Sequence, residues 1–180
     1  MQRFTYTLED SAVNTLRGLL GRPVYNLYTS SLEVDGDRVV APHYSIPLPG
    51  GRFLVVQSDW GDTPREAIDY HVIGVDVSDS PPGVEVGPGE DGRVGIKAPF
   101  SAVRLRHGGA AISEVSVRVF EEVSECEGVR YDAAILFEYE GGTQFLLEVN
   151  DSISGGLRYT GSSTDIAQVC LRCPERIGVR

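Results

Sequence analysis

Residues 129–149 read VRYDAAILFEYEGGTQFLLEV, and this stretch decides the fold. From Val129 to Tyr139 an apolar or aromatic side chain stands at every second position, which is the period of a β-strand with one buried face. The positions between them form a more polar face, which carries Arg130, Asp132 and Glu138. Gly141-Gly142 then supplies a two-residue turn at no steric cost, and Phe145 to Val149 returns as a partner strand. The stretch therefore predicts an antiparallel β-hairpin.

Short strands separated by Gly, Pro and Asp turns fill most of the remaining chain. They are predicted at 24–28, 31–34, 38–40, 43–48, 52–58, 72–77, 102–107, 113–123 and 157–160. Helices are predicted at 8–20, 63–70 and 163–172. The sequence thus indicates an α+β fold, predominantly antiparallel β in a sandwich or an open barrel, with about three short helices covering its ends or one face.

The helix at 63–70 depends on the clearest local signature in the chain, Thr63-Pro64-Arg65-Glu66. Thr63 can cap a helix, Pro64 suits the first helical position, and Glu66 can close a capping box. A short helix is therefore expected directly after an acidic loop that contains the only tryptophan, Trp60.

The length of 180 residues is that of one domain. Two hairpins nevertheless resemble each other, because the Gly-Gly turns at 50–51 and 141–142 each lead into a Phe-Leu strand. Internal duplication of a hairpin unit and chance similarity are both open. If the duplication holds, the halves 1–77 and 102–180 are joined by a Gly- and Pro-rich connector at 78–101.

The chain carries 26 acidic and 16 basic side chains, and its formal net charge is −10. General nucleic-acid binders need an excess of Lys and Arg, so this charge excludes that class and favours a protein partner with a basic surface. The chain starts without the apolar segment of a signal peptide, and its longest apolar run, Ala133–Phe137, is far shorter than the ~20 residues of a membrane helix. A cytoplasmic location without membrane contact is expected.

Motifs of the common enzyme and nucleotide-binding classes are missing from the sequence. Lys97 is the only lysine and has no GxxxxGK[ST] around it, and the chain contains no GxGxxG, HExxH, GxSxG or EF-hand loop. Together with the charge, this favours a non-enzymatic interaction module, of the inhibitor or immunity type, that binds a basic partner protein.

Two acidic segments are candidates for the partner-binding surface. The first is the loop around Trp60, whose side chain can anchor an interface if it is exposed and can fill the core if it is not. The second is an acidic run that follows a predicted strand, and such a run is often only a solvated strand end. The predicted partner-binding residues are Trp60, Asp59, Asp62, Glu121, Glu122 and Glu125.

An enzymatic alternative uses the same region of the chain. Asp59, Asp62 and His71 could perform acid–base chemistry or hold a metal ion, as in a small hydrolase or a metal-dependent enzyme. Ordinary structural roles compete with this interpretation, since an aspartate before a helix start complements its dipole. A further alternative is a structural subunit whose exposed strand edges pair with neighbours in a larger assembly.

The three cysteines form an odd set, which fits a reducing compartment better than a disulfide framework. Cys170 and Cys173 have the spacing at which two thiolates reach one zinc ion, and Cys126 with one of the histidines could complete the ligands. A cysteine on the apolar face of a helix also behaves as a small core residue. The sequence therefore predicts no cofactor, with zinc on these three cysteines as the alternative.

Overall fold

The computed structural model describes residues 1–36, 38–83, 86–88, 94–96, 101–105, 109–152 and 155–180. Within them the chain forms short strands and two helices. In chain order these are β1 (Gln2–Tyr6), α1 (Asp10–Arg17), β2 (Asn26–Thr29), β3 (Glu33–Asp35), β4 (Arg38–Ala41), β5 (His43–Pro47), β6 (Phe53–Asp62), β7 (Asp69–Ser78), β8 (Val86–Pro88), β9 (Val94–Ile96), β10 (Ser101–Arg104), β11 (Ile112–Val123), β12 (Glu127–Tyr139), β13 (Gln144–Val149), β14 (Leu157–Thr160), α2 (Ser163–Arg172) and β15 (Glu175–Val179). The α+β fold dominated by antiparallel strands is confirmed.

The larger sheet is built around β12. Its strand order is β15-β11-β12-β13-β14-β4-β3, and β1 joins it outside this path. One edge of β12 pairs with β11. Two strands share its other edge: β13 pairs with Ala134–Glu138, and β1 pairs in parallel with Glu127–Tyr131. The hairpin predicted at 129–149 is therefore present as β12 and β13, at the centre of the sheet.

The second sheet has the order β10-β2-β5-β6-β7. The chain passes from β4 of the first sheet to β5 of the second at Pro42. Proline has no backbone N–H, and at this position between two strands the sheet does not need one. β6 and β7 pair along their whole length, from Phe53 opposite Ser78 to Asp62 opposite Asp69. This arrangement makes β7 the edge strand, and the edge lies against α1 and against β12 of the first sheet.

Aromatic side chains pack at the centre of the hairpin. Phe137 and Phe145 are paired across β12 and β13, are 0% and 2% exposed, and stack with ring centroids 4.5 Å apart. Tyr139 lies 5.8 Å from Phe145 and donates its hydroxyl to the carbonyl of Val24. A buried tyrosine that keeps a hydrogen-bond partner costs little to desolvate, so the Tyr139 hydroxyl is satisfied inside the core.

The alternation predicted for β12 is interrupted by a β-bulge at Ala133. Val119 of β11 pairs with Asp132, but the preceding Arg118 pairs with Ala134, so one residue of β12 is left over. A one-residue insertion reverses the faces beyond it, and the predicted single apolar face from Val129 to Tyr139 is therefore wrong. The same reversal takes Asp132 out of solvent, where it is 0% exposed.

Asp132 is neutralised inside the protein by an arginine from the last strand. Arg176 Nε donates to Asp132 Oδ1 at 2.6 Å, its Nη2 bonds the second carboxylate oxygen, and the backbone N–H of Leu8 donates to that oxygen at 2.7 Å. The Arg176 position is itself a bulge of β15, because Val117 pairs with Ile177 and Arg118 with Glu175. Two bulges thus bring a buried carboxylate and a guanidinium together.

The helix predicted at 63–70 is wrong, and the segment is a tight turn before β7. Thr63 Oγ1 accepts from the N–H of Ile68 at 3.0 Å, which closes the turn on itself. The free N–H groups of Arg65 and Glu66 donate to the carboxylate of Glu127 at 3.2 and 2.9 Å. The carboxylate of Glu127, from a distant strand, therefore accepts the hydrogen bonds of backbone N–H groups that would be free at a helix start, and the chain forms no further helical turn.

Glu66 makes the reciprocal hydrogen bonds to the start of β12. Its carboxylate accepts from the backbone N–H groups of Cys126 and Glu127, the latter at 2.7 Å. Burial raises the pKa of Glu127, but hydrogen bonds from Thr63 and from the amides of Glu66 and Arg65 outweigh it, so the net pKa is lowered. The reciprocal pair ties the start of β7 to the start of β12.

Other predicted elements differ in detail from the structure. The first helix ends at Arg17, and i→i+3 hydrogen bonds carry the chain on to Leu20. β1 and β15 were not predicted, because strands of five residues with two partly polar faces have no clear period. The predicted helix at 163–172 and strand at 157–160 are present with those bounds. No helix among the described residues is long and apolar enough to cross a membrane.

The two Gly-Gly hairpins lie in different sheets, β5–β6 in one and β12–β13 in the other. The strand pairing mixes the halves 1–77 and 102–180, since β1, β3 and β4 belong to the sheet of β12 and β10 pairs with β2. Internal duplication and chance similarity both stay open, and no helix follows the first hairpin at 63–70. Parts of the connector at 78–101 lie outside the described residues.

Candidate functional site

A cavity of about 690 Å³ opens where the start of β7 meets β12, beside the end of α2. This volume lies within the range of small-molecule and side-chain binding pockets. Buried residues form its floor and exposed residues form its mouth. The lining residues are Glu66, Ala67, Ile68, Asp69, His71, Phe120, Glu122, Ser124, Tyr131, Ala133, Glu148, Val149, Asn150, Asp151, Arg158, Arg172 and Cys173.

His71 is the central polar side chain of the floor. It is 5% exposed, its ring lies 5.7 Å from the ring of Tyr131, and its Nε2 lies 4.0 Å from Asp151 Oδ1. Its Nδ1 is buried and makes no hydrogen bond within the described part of the chain. Burial lowers the pKa of His71, while Asp151 and Asp69 oppose that shift, so the imidazole is neutral at pH 7.

Three carboxylates lie at the mouth of the cavity. Asp69, Glu122 and Asp151 are all exposed, and the side chain of Asp151 is 91% accessible. Asp69 also lies opposite Asp62 in the β6–β7 ladder, and the hydrogen bond between the two carboxyl groups raises the pKa of Asp62. The mouth therefore has a strongly negative potential.

Two arginines on the α2 side share one buried carboxylate. Glu148 is 3% exposed, and its two oxygens accept from Arg158 and from Arg172. The same group borders a second cavity of about 180 Å³, into which Arg38 and its partner Asp165 also reach. These charges are satisfied within the protein, in contrast to the acidic mouth.

Trp60 is 61% exposed, so its predicted role as a core residue is excluded. It lies opposite His71 in the β6–β7 ladder, which places both side chains on the same face of the sheet. A Cβ atom placed on Gly155 would lie 3.9 Å from Trp60 Cδ1, so the indole lies against the loop that carries Asp151. The tryptophan therefore borders the cavity.

The predicted site residues are only partly brought together. His71 and Glu122 line the cavity, and Trp60 borders it. Asp62 does not line it but is hydrogen-bonded to Asp69, which does. Asp59 is exposed on β6 and does not line the cavity. Glu121 is exposed and forms a 3.6 Å ion pair with Arg3.

Glu125 is exposed in the turn between β11 and β12. It does not line the cavity, although Glu122 of the same acidic run does.

The cysteines are not arranged as a metal site in the described residues. Cys126 is exposed, Cys170 is half-buried and Cys173 is buried in the cavity floor. Burial raises the pKa of the Cys173 thiol, which opposes the thiolate that zinc requires. No three His, Cys, Asp or Glu side chains converge on one point in the described ranges. The remaining histidine candidate, His107, lies outside those ranges.

Sequence reasoning missed Tyr131, Asp151 and Glu148 as parts of the site. Tyr131 looks like one more residue of an apolar strand face, and Asp151 like a turn residue. A buried glutamate in the strand Gln144–Val149 was the available signal, because an acid in an otherwise apolar strand needs a partner.

Adjacent glycines fix the loop that presents Asp151, and they allow a matched test. Gly156 has φ +83°, and a Cβ there would approach the carbonyl oxygen of Ala41 to 2.5 Å. Gly155 has φ +60° with only ordinary contact to Trp60. We expect Gly156→Ala to lower the free energy of unfolding by about 2–4 kcal/mol and Gly155→Ala by about 1 kcal/mol, measured by urea denaturation. Equal losses would show that the backbone overlap is relieved.

No protein-family model, curated protein or solved structure matches the chain. The geometry of the cavity and its charges are therefore the basis of the functional argument.

Proposed function

We propose that this protein is a non-enzymatic interaction module that acts in the cytoplasm and binds a basic partner protein through the mouth of the cavity. An inhibitor or immunity-type antidote would use such a surface. The net charge of −10 supports the proposal, because an acidic surface accelerates encounter with a basic partner.

One observation carries the proposal: the exposed Trp60 borders an acidic cavity mouth. A tryptophan costs little conformational entropy to fix and buries a large area, so it dominates many interfaces. Asp69, Glu122 and Asp151 are exposed and line the neighbouring cavity. A hydrophobic anchor beside exposed carboxylates is suited to a partner that presents a cation next to an apolar surface.

The proposal is tested by native mass spectrometry of the protein purified gently from its own cells. We expect a protein-sized mass added to the 19.5 kDa chain, and an association rate that falls at least about tenfold between 50 and 500 mM salt. A bare chain, or a rate that salt does not change, would contradict the proposal.

With the partner in hand, Trp60→Ala is expected to weaken its binding by about 30-fold or more, the effect of losing an interface anchor. Tyr25→Ala is the matched control, because Tyr25 is 56% exposed and lies next to β2 and β10, at the other edge of the same sheet. Equal losses from the two substitutions would remove Trp60 from the interface.

A small acid–base enzyme is the second candidate, favoured by the contact between His71 and Asp151. A neutral imidazole beside a carboxylate in a cavity can accept a proton from a substrate or a water molecule. The acids placed there are Asp151 and Asp69 and not Asp59. Turnover of chromogenic esters or phosphodiesters that Asp151→Asn removes, without loss of folding, would favour the enzyme over the interaction module.

A further inference from the structure

We propose that the cavity binds an arginine side chain carried by a peptide segment of the partner. This inference rests on the proposed function and names the group that the acidic mouth recognises. Its basis is the combination of exposed carboxylates without an arginine partner among the described residues, an aromatic wall and a volume larger than one side chain.

The charges of the cavity lining leave a negative surplus at one end. Five carboxylates and two guanidinium groups line it. Glu148 forms ion pairs with both arginines, and the carboxylate of Glu66 accepts hydrogen bonds from two backbone N–H groups. Asp69, Glu122 and Asp151 remain, and no arginine of the described residues pairs with them. All three are exposed and line the same cavity, so a cation that enters it meets negative charge on the cavity wall.

The wall beside these carboxylates is aromatic. The ring of Tyr131 lies 5.5 Å from Phe120 and 5.7 Å from His71, all three in the lining. Burial raises the pKa of Tyr131, and the negative charges of Asp151 and Glu122, which line the same cavity, raise it further. The cavity therefore offers an aromatic surface and acceptor oxygens to the same guest.

This combination suits a guanidinium better than an ammonium group. A guanidinium is planar, is weakly hydrated, stacks on aromatic rings and donates in pairs to carboxylates, whereas the ammonium of lysine is a compact and strongly hydrated charge. The volume of about 690 Å³ also exceeds that of one side chain, so residues flanking the arginine can enter.

The test uses the full chain and the peptides acetyl-Gly-Arg-Gly-amide and acetyl-Gly-citrulline-Gly-amide. Citrulline has nearly the shape of arginine without its charge. Trp60 is the only tryptophan, so its fluorescence reports on this site. We expect the arginine peptide to bind at millimolar concentration and the citrulline peptide at least about tenfold more weakly, with a lysine peptide between them.

Two substitutions locate the binding. Asp151→Asn removes one charge from a side chain that is 91% exposed, so the fold is not affected, and we expect at least fivefold weaker binding of the arginine peptide. Asp76→Asn is the control, because Asp76 is exposed on the same strand as His71 but does not line the cavity. Equal binding of the two peptides, no binding, or equal losses in the two variants would overturn the arginine pocket.

The two proposals fail separately. If the partner binds with salt-dependent rates and needs Trp60, but its affinity is unchanged by Asp151→Asn and the arginine peptide does not bind, the interaction module stands and the arginine pocket is wrong. If the arginine peptide binds and Asp151→Asn weakens it, while no partner protein is found, the pocket stands and the proposed function is wrong.

Discussion

Replacing Arg176 by methionine is expected to lower the free energy of unfolding by about 3–5 kcal/mol, the effect of leaving a buried charge without its partner. Asp132 is fully buried, and Arg176 supplies both of its side-chain hydrogen bonds. Methionine has a similar length and keeps the apolar contacts of the arginine stem. The remaining N–H of Leu8 cannot compensate a full negative charge. Urea denaturation of the variant measures the loss.

Arg180→Met is the matched control for this prediction. Arg180 directly follows the last residue of β15 and pairs with Glu114 at 2.9 Å, but its side chain is 77% exposed. Water screens this pair, so we expect a change of less than about 1 kcal/mol. The double variant Asp132→Leu with Arg176→Met should recover most of the stability, because it removes both charges together. A large loss from Arg180→Met and a small one from Arg176→Met would refute the assignment of the buried pair.

Phe137→Ala is expected to cost about 3–5 kcal/mol, because it empties the centre of the core. The side chain is fully buried and stacks on Phe145 across the central hairpin. Alanine would leave a cavity that the paired strands cannot close, since their hydrogen bonds hold them at a fixed spacing. A domain of this size is stable by roughly 5–15 kcal/mol, so the variant keeps only part of its stability.

Phe53→Ala is the comparison for the core variant. Phe53 begins β6 in the second sheet, is half-buried and meets Tyr28 edge-to-face with centroids 6.4 Å apart. Because much of its surface is already in contact with water, we expect a loss of about 1–2 kcal/mol. Thermal and urea unfolding of both variants measures the two losses of unfolding free energy. Similar losses would mean that the hairpin is not the centre of the core.

Local interactions explain the elements that could be predicted from the sequence. The period-two alternation from Ile135 to Tyr139, beyond the bulge, and the Gly141-Gly142 turn specify the hairpin, since both act between residues that are close along the chain. The helix at Ser163–Arg172 was predicted with the correct bounds, and its cap is local, because the side chain of Ser162 accepts from the N–H of Asp165. The strongly acidic charge is likewise a property of composition alone.

Contacts between distant residues decided the rest. Thr63-Pro64-Arg65-Glu66 has every local feature of a helix start, yet its free N–H groups are taken by Glu127, more than sixty residues away. No pattern near Thr63 records that partner. The bulge at Ala133 arises in the same way, from the pairing of three strands around Asp132 and Arg176.

The candidate site shows the same division. The sequence by itself marked the acidic loop around Trp60 and the His71 segment, because unusual residue types are visible without a structure. It could not place Asp151, Tyr131 and Glu148 beside them, since these residues come from other strands and loops. Whether Trp60 is buried or exposed depends on what packs over the end of β6, and only the tertiary structure decides it. Local propensity fixes strands and turns, whereas a cavity is made by the meeting of segments that are far apart in the chain.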